Sequence, residues 1–296
     1  MTDTHSLSDL VAEELALPVD PRVTAMAEAV AAQYPAAARA VLFYGSCLRE
    51  RNLDGLMLDF YLIVSSYREA YGRGWYAFAN RLIPPNVFPF EHEGLAAKYA
   101  VLSEADFVRE NGPEAGTVSV WARFAQPARL VWAKDEAARE QAVAAVSRAA
   151  PTLFGFALPM LDETEKADPL AVWRRGFDLT YDSELRAERK GKSVSIVDTD
   201  PARYRRFGGA TLPLARPLNA AKARKRWRRF RRRGKAMSVV RLAKATTTFA
   251  GGVDYIAWKI NRHAGTDIVV KPWQRRWPIL GALTLLPRLL RRGAIR

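Results

Sequence analysis

The run Val41-Leu42-Phe43-Tyr44 stops at Gly45-Ser46, and about a dozen residues later Asp59 stands inside the apolar run LMLDFYLIV. These types at this spacing suit phosphate chemistry. A glycine lets the backbone approach a phosphate with no Cβ in the way. A serine hydroxyl and the N–H groups of a turn can hold phosphate oxygens. A strand carboxylate opposite that turn can bind Mg²⁺ bridging phosphates. Gly-Ser is also a common turn, so the pair alone decides nothing. Asp59 says more, because an unpaired carboxylate in an apolar strand is costly to bury. It is expected at the strand's open end, facing a metal or a cation. Many metal-dependent sites of this kind carry a second acid two residues on, where this chain has Tyr61; Asp54 and the distant Glu184 are the alternatives.

Cys47, the chain's one cysteine, follows the turn. As a nucleophile it needs a base within reach, and His5, His92 and His263 are scattered. It reads as a small buried thiol. The three histidines and one cysteine also exclude a His/Cys zinc site of the usual spacing and an internal disulfide framework.

The elements that must position these residues alternate. Residues 22–40 have helical spacing, 41–44 and 56–64 read as buried strands, and 67–83 as an aromatic-rich helix broken by Pro84-Pro85-Asn86. Residues 95–102, LAAKYAVL, form a strand with Lys98 inserted, and 118–132 a helix, a turn and the strand ARLVWA. Residues 136–160 and 169–190 are helical, with Trp173, Phe177, Leu179 and Leu185 as core. The expected fold is α/β (α+β) in three parts. Residues 1–135 form a mixed sheet with helices. Residues 136–215 form a helical domain, with a winged-helix-like form as one option. Residues 216–296 form a basic amphipathic helical region.

Charge divides the chain. The formal net charge is +15, yet from Arg216 onward there are about 22 basic and two acidic residues. The rest is slightly acidic. The basic part seeks a polyanion, either a nucleic acid or an anionic membrane. The acidic N-terminal stretch has no long apolar run, so a cytoplasmic protein is expected.

Five segments, in order, resemble the mitochondrial-type phosphatidate cytidylyltransferases (CDP-diacylglycerol synthases), peripheral enzymes with a nucleotidyltransferase fold. FYGSCL resembles the family's YGSGV turn, and GLMLDFYLIV its M-[LI]-D-F strand. LAAKYAVLS is similar to its R-L-I-K-Y-G-V-I-S strand, and FDLTYDSELRAERKGKSVSIV to its L-S-Y-[ST]-G-D-[FI]-R segment. VRLAKATTTFAGGVDYIAWKI resembles its R-Q-x-x-K-G-[IL]-x-T-A-G stretch. The family shares the missing second acid at Tyr61. This chain departs from it at Cys47 (usually glycine), at Ser183-Glu184 (Gly-Asp), in a shorter middle region and in the polybasic segment 222–235.

The resemblance implies Mg²⁺-dependent transfer from CTP to phosphatidic acid or a related anionic lipid, giving CDP-diacylglycerol and pyrophosphate. Asp59 and Glu184 are the implied metal ligands, with Lys98 as a third catalytic residue. Gly45, Ser46, Lys98, Arg186 and Lys192 are the implied nucleotide and phosphate contacts. Other readings stand beside these: Lys98 as a snorkelling edge lysine, and Glu184 and Arg186 as a solvated helix face with Glu188 and Arg189.

The end of the chain reads PWQRRWPILGALTLLPRLLRR. Its apolar run, 279–286, is far short of the ~20 residues that span a bilayer. Trp273 and Trp277 suit the headgroup level, Arg275 and Arg276 anionic lipid, and Leu285 and Leu286 the apolar side. The expected location is the inner membrane face, held peripherally. Nucleic acid is the less favoured partner: KARKRWRRFRRRGK interleaves arginines with aromatics, which suits RNA. A nucleotidyltransferase acting on RNA, or a non-catalytic basic adaptor, remains the alternative.

Overall fold

The computed structural model describes residues 6–49, 53–183, 192–248 and 270–273. Helices α1 (Leu7–Leu15) and α2 (Pro21–Ala32) lead into strand β1 (Ala38–Tyr44). Strand β2 (Met57–Val64) follows, then helices α3 (Tyr67–Tyr71) and α4 (Trp75–Leu82). Strands β3 (Asn86–His92) and β4 (Leu95–Ser103) form a hairpin. After it come α5 (Glu104–Asn111), α6 (Trp121–Phe124) and strand β5 (Ala128–Ala133). The remainder is helical: α7 (Glu136–Ser147), α8 (Ala149–Ala157), α9 (Pro169–Tyr181), α10 (Lys192–Thr199), α11 (Pro201–Thr211) and α12 (Ala220–Thr248). The expected mixed α/β architecture is the observed one.

Local chemistry sets the helix starts. Asp20-Pro21, Asp168-Pro169 and Asp200-Pro201 each put an aspartate at the N-cap, its carboxylate accepting a backbone N–H, and a proline at the first helical position. Ser6 and Asp9 form a reciprocal capping box on α1. Ser103 ends β4 and caps α5 with the same side chain.

The sheet order is β3-β4-β2-β1-β5. β1 is antiparallel to both β2 and β5, β2 is parallel to β4, and β3 is antiparallel to β4. The C-terminal end of β1 therefore meets the N-terminal part of β2, and β4 runs beside β2. Tyr44 pairs with Asp59, and Asp59 with Lys98.

Each face of the sheet has its own core. On one, Val41, Phe43, Phe60, Leu62 and Val101 pack against Val23, Met26 and Val30 of α2. On the other, Leu42, Tyr61, Ile63, Ala100 and Leu102 lie under the helices. That second cluster takes side chains from all three sequence segments, from Leu7 to Phe230. Trp173, Phe177 and Leu179 are buried in it as expected; Leu185 lies outside the described residues.

Helix α12 holds the polybasic segment and is fastened by its aromatic residues. Trp227 and Phe230 are 1% exposed. They pack on Trp121 and Phe156, and the Trp227 indole N–H donates to the Phe156 carbonyl at 2.9 Å. The arginines between them point outward. One helical stretch among the described residues, Glu136–Met160, is long and apolar enough to cross a membrane, but most of its apolar part is buried inside the molecule. It is core helix, divided between α7, α8 and the turn after them.

Candidate functional site

β1 delivers the chain to Gly45, whose φ of +99° is a left-handed backbone that side chains resist. Space is tight as well. A Cβ on Gly45 would stand 3.3 Å from Oδ2 of Asp59. Glycine is thus needed twice here, for the turn and for its approach to the carboxylate. Ser46 opens the short 3-10 turn Ser46–Arg49 and is exposed.

Asp59 is the third residue of β2 and sits opposite Tyr44, the last residue of β1. Parallel pairing sets Lys98 beside it, and the Lys98 Nζ comes within 2.9 Å of Asp59 Oδ1. The two side chains are 27% and 22% exposed. The pair is therefore reachable from solvent and only partly screened by it. This accounts for a lysine in a strand that has neighbours on both sides. Its cation answers the carboxylate rather than snorkelling from an edge.

Aromatic rings wall the pair on one side. Tyr44 lies 5.2 Å from Tyr61, and both pack on Phe124 of α6. Tyr61 occupies the place of a second acid, and the structure gives it a packing role. Burial pushes the Tyr44 phenol well above its ordinary pKa, and the negative charge of Asp59 adds to this. Arg123 acts in the opposite sense, through its charge and a hydrogen bond to Tyr44. Arg123 also donates to the Ser119 carbonyl. Arg241 of α12 donates to the Ser119 hydroxyl at 2.6 Å and to the Pro84 carbonyl at 3.0 Å. Two arginines from the helical layer therefore share Ser119 as an anchor. No local signal in so arginine-rich a chain marks these two out.

The other expected residues are distributed differently. Asp54 is 70% exposed and pairs with Arg22 of α2 at 2.9 Å. Cys47 is buried on the α2 face of the sheet, with its thiol 3.6 Å from the Met57 carbonyl; it is the packing residue expected. Lys192 begins α10, whose first side chains are not among those described. Glu184 and Arg186 lie outside the described residues. Trp273 is 43% exposed, and Arg275, Arg276, Trp277, Leu285 and Leu286 lie outside.

Among the described residues, no group of three or more His, Cys, Asp or Glu side chains is placed to hold a metal. A protein-only cage is thus absent from them. Asp59 still suits Mg²⁺, which is commonly bound through one or two carboxylates plus the substrate's phosphates. One oxygen of Asp59 faces Lys98 and the other faces the glycine turn.

No family model matches the chain, and a search of curated proteins finds no match either.

Proposed function

We propose that the protein is a Mg²⁺-dependent cytidylyltransferase that joins CTP and phosphatidic acid, or a related anionic lipid, into CDP-diacylglycerol and pyrophosphate at a membrane surface. The observation that carries this reading is the corner made by Gly45, Asp59 and Lys98.

In the proposed reaction the lipid phosphate attacks the α-phosphorus of CTP, a new P–O bond forms, and pyrophosphate leaves with the electrons of the broken bond. A phosphate monoester is already anionic near neutral pH, so no strong base is needed. The residues' work is placement and charge neutralisation. Gly45 lets phosphate oxygens approach the backbone, where the Ser46 hydroxyl is exposed to meet them. Lys98 exchanges part of its contact with Asp59 for phosphate oxygens. Arg123 supplies a second fixed cation beside Tyr44. Asp59 would hold Mg²⁺, which when bound neutralises charge on the triphosphate and the departing pyrophosphate. Glu184, Arg186 and Lys192 remain the proposed completing contacts.

The test is incubation of the folded protein with labelled CTP, Mg²⁺ and phosphatidate vesicles. CDP-lipid is expected to form, with UTP and ATP as weaker donors. No product from folded protein would overturn the proposal.

One observation favours a second reading, a non-catalytic adaptor: Asp59 already has a cation partner, so the pair can simply close the sheet end. The RNA-modifying alternative draws less support. Trp227 and Phe230 are buried in the core and are not available to stack on bases.

A further inference from the structure

Helix α4 is oriented with its apolar side outward. Trp75, Phe78 and Leu82 are 64%, 59% and 65% exposed. Their spacing of three and then four residues puts them on one helical face, and the Trp75 and Phe78 rings are 5.8 Å apart. The opposite face is fixed. Asn80 is fully buried, its amide donating to the Val101 carbonyl at 2.9 Å and its carbonyl oxygen accepting the Asn86 N–H. The apolar face is therefore held outward by polar bonds on the inner side. Exposed patches of this kind on a held element mark interaction surfaces.

The chain flanking the patch carries mostly one sign of charge. Arg68 and Arg73 before it and Arg81 within α4 are exposed. Glu69, the acid among them, accepts a hydrogen bond from the Ser65 hydroxyl. Two residues beyond α4, the Pro84 carbonyl receives Arg241, which brings the end of the basic helix α12 alongside.

We propose that this face is a docking surface for an anionic bilayer. Trp75, Phe78 and Leu82 enter the boundary between headgroups and acyl chains, and the three arginines meet lipid phosphates. Tryptophan favours that depth, and an apolar face flanked by arginine is the pattern of an interfacial helix. The charge complementarity selects an anionic membrane over a neutral one. The inference deepens the lipid reading above and rests on it for phosphatidate as the anionic lipid. It adds a membrane contact on a helix beside the sheet to the one that the sequence places at the chain's end.

The experiment is co-sedimentation of the full chain, without nucleotide, with three kinds of vesicle: phosphatidylcholine alone, doped with phosphatidate, and doped with phosphatidylglycerol. Binding to both doped kinds is expected, weakening in high salt. The triple variant Trp75→Ser, Phe78→Ser, Leu82→Ser should bind at least about tenfold more weakly while unfolding at the wild-type temperature, since the three side chains are exposed. A parallel Leu17→Ser variant, at an exposed leucine outside α4, should keep binding. Wild-type protein that ignores every vesicle overturns the proposal. So does a triple variant that binds normally, or one that differs from wild type only by losing a dimer on size exclusion. Turnover is measured separately on soluble short-chain phosphatidate, which needs no bilayer. Vesicle binding with no turnover there sinks the catalytic reading alone, and turnover without α4-dependent binding sinks the docking surface alone.

Discussion

Two carboxylate–cation pairs in this molecule are built for different ends. Arg203 of α11 grips Glu14 of α1 with two parallel bonds, at 2.6 and 2.8 Å, and both side chains are largely covered, 8% and 14% exposed. The guanidinium also donates to the Ala125 carbonyl and lies over the Tyr204 and Phe207 rings. Burial works against its charge, yet the Glu14 bonds outweigh this and raise its pKa. Lys98, by contrast, meets one oxygen of Asp59 at 2.9 Å, and both are more exposed. The arginine pair is a planar fork with a matched partner. The lysine pair is a point charge on a flexible stem that can be turned to another anion. The first fastens two helices across the chain, and the second leaves a carboxylate and an ammonium able to change partners.

The contrast can be broken by mutation. Glu14→Ala strands a buried guanidinium and should cost about 3–5 kcal/mol of stability in urea denaturation, with turnover per folded molecule unchanged. Gly45→Ala forces an alanine into the left-handed region at about 1–2 kcal/mol and crowds the Asp59 carboxylate, so CTP turnover should fall with it. Asp59→Asn should lower stability by less than about 1 kcal/mol, as for partly exposed pairs, yet lower turnover by about a hundredfold or more. If Asp59→Asn costs as much stability as Glu14→Ala, the lysine pair is a fastener too, and the contrast fails.

The smallest effect is one of pH. Burial raises the pKa of Tyr34, Tyr44, Tyr67, Tyr71 and Tyr99 in the folded state. A raised folded pKa gives stability that is fully present below the unfolded value, about 10, and is lost as pH rises beyond it. The urea midpoint should therefore be flat from pH 7 to 9 on this account and fall above about 10. Tyr44→Phe should make that fall shallower by one tyrosine's share, because phenylalanine has no proton to lose. The Arg203 guanidinium stays charged throughout.

The sequence was most legible where one force dominated. β1, β2 and β4 show as apolar runs because they are buried on both faces. Gly45, Asp59 and Lys98 stood out because each breaks such a run, and pairing register then joins them. β3 was missed. Its Pro84-Pro85-Asn86 start reads as a break and Pro89 stands inside it, yet an edge strand tolerates proline because one side of its backbone has no partner. The helical spacing over 22–40 overruns the helix. α2 ends at Ala32, Ala36 and Ala37 lie in a turn, and Ala38 and Ala40 belong to β1, where burial overrides their helix preference. The helix read over 67–83 divides at Gly72 and Gly74. α1 went unread, although Ser6 and Asp9 give its capping box in the sequence. Arg123 and Arg241 could not be read, because only tertiary packing brings α6 and α12 to the same serine.

The packing of α12 bears on how the protein is made. The Trp227–Phe156 bond joins residues 71 positions apart, and Trp121 precedes both. A chain leaving the ribosome from its N-terminus will have emerged through β5, with all five strands available, long before Trp227 appears. Until then Trp121 and Phe156 lack the two rings that cover them in the finished fold, and apolar surface left open in this way draws chaperones. Among the described residues the last to join that core cluster, Trp227 and Phe230, lie on the most cationic segment, which emerges next to ribosomal RNA. A ribosome-bound chain that has emerged only to residue 215 should therefore have its sheet formed and its aromatic face open, sensitive to protease and captured by chaperone until Phe230 has emerged.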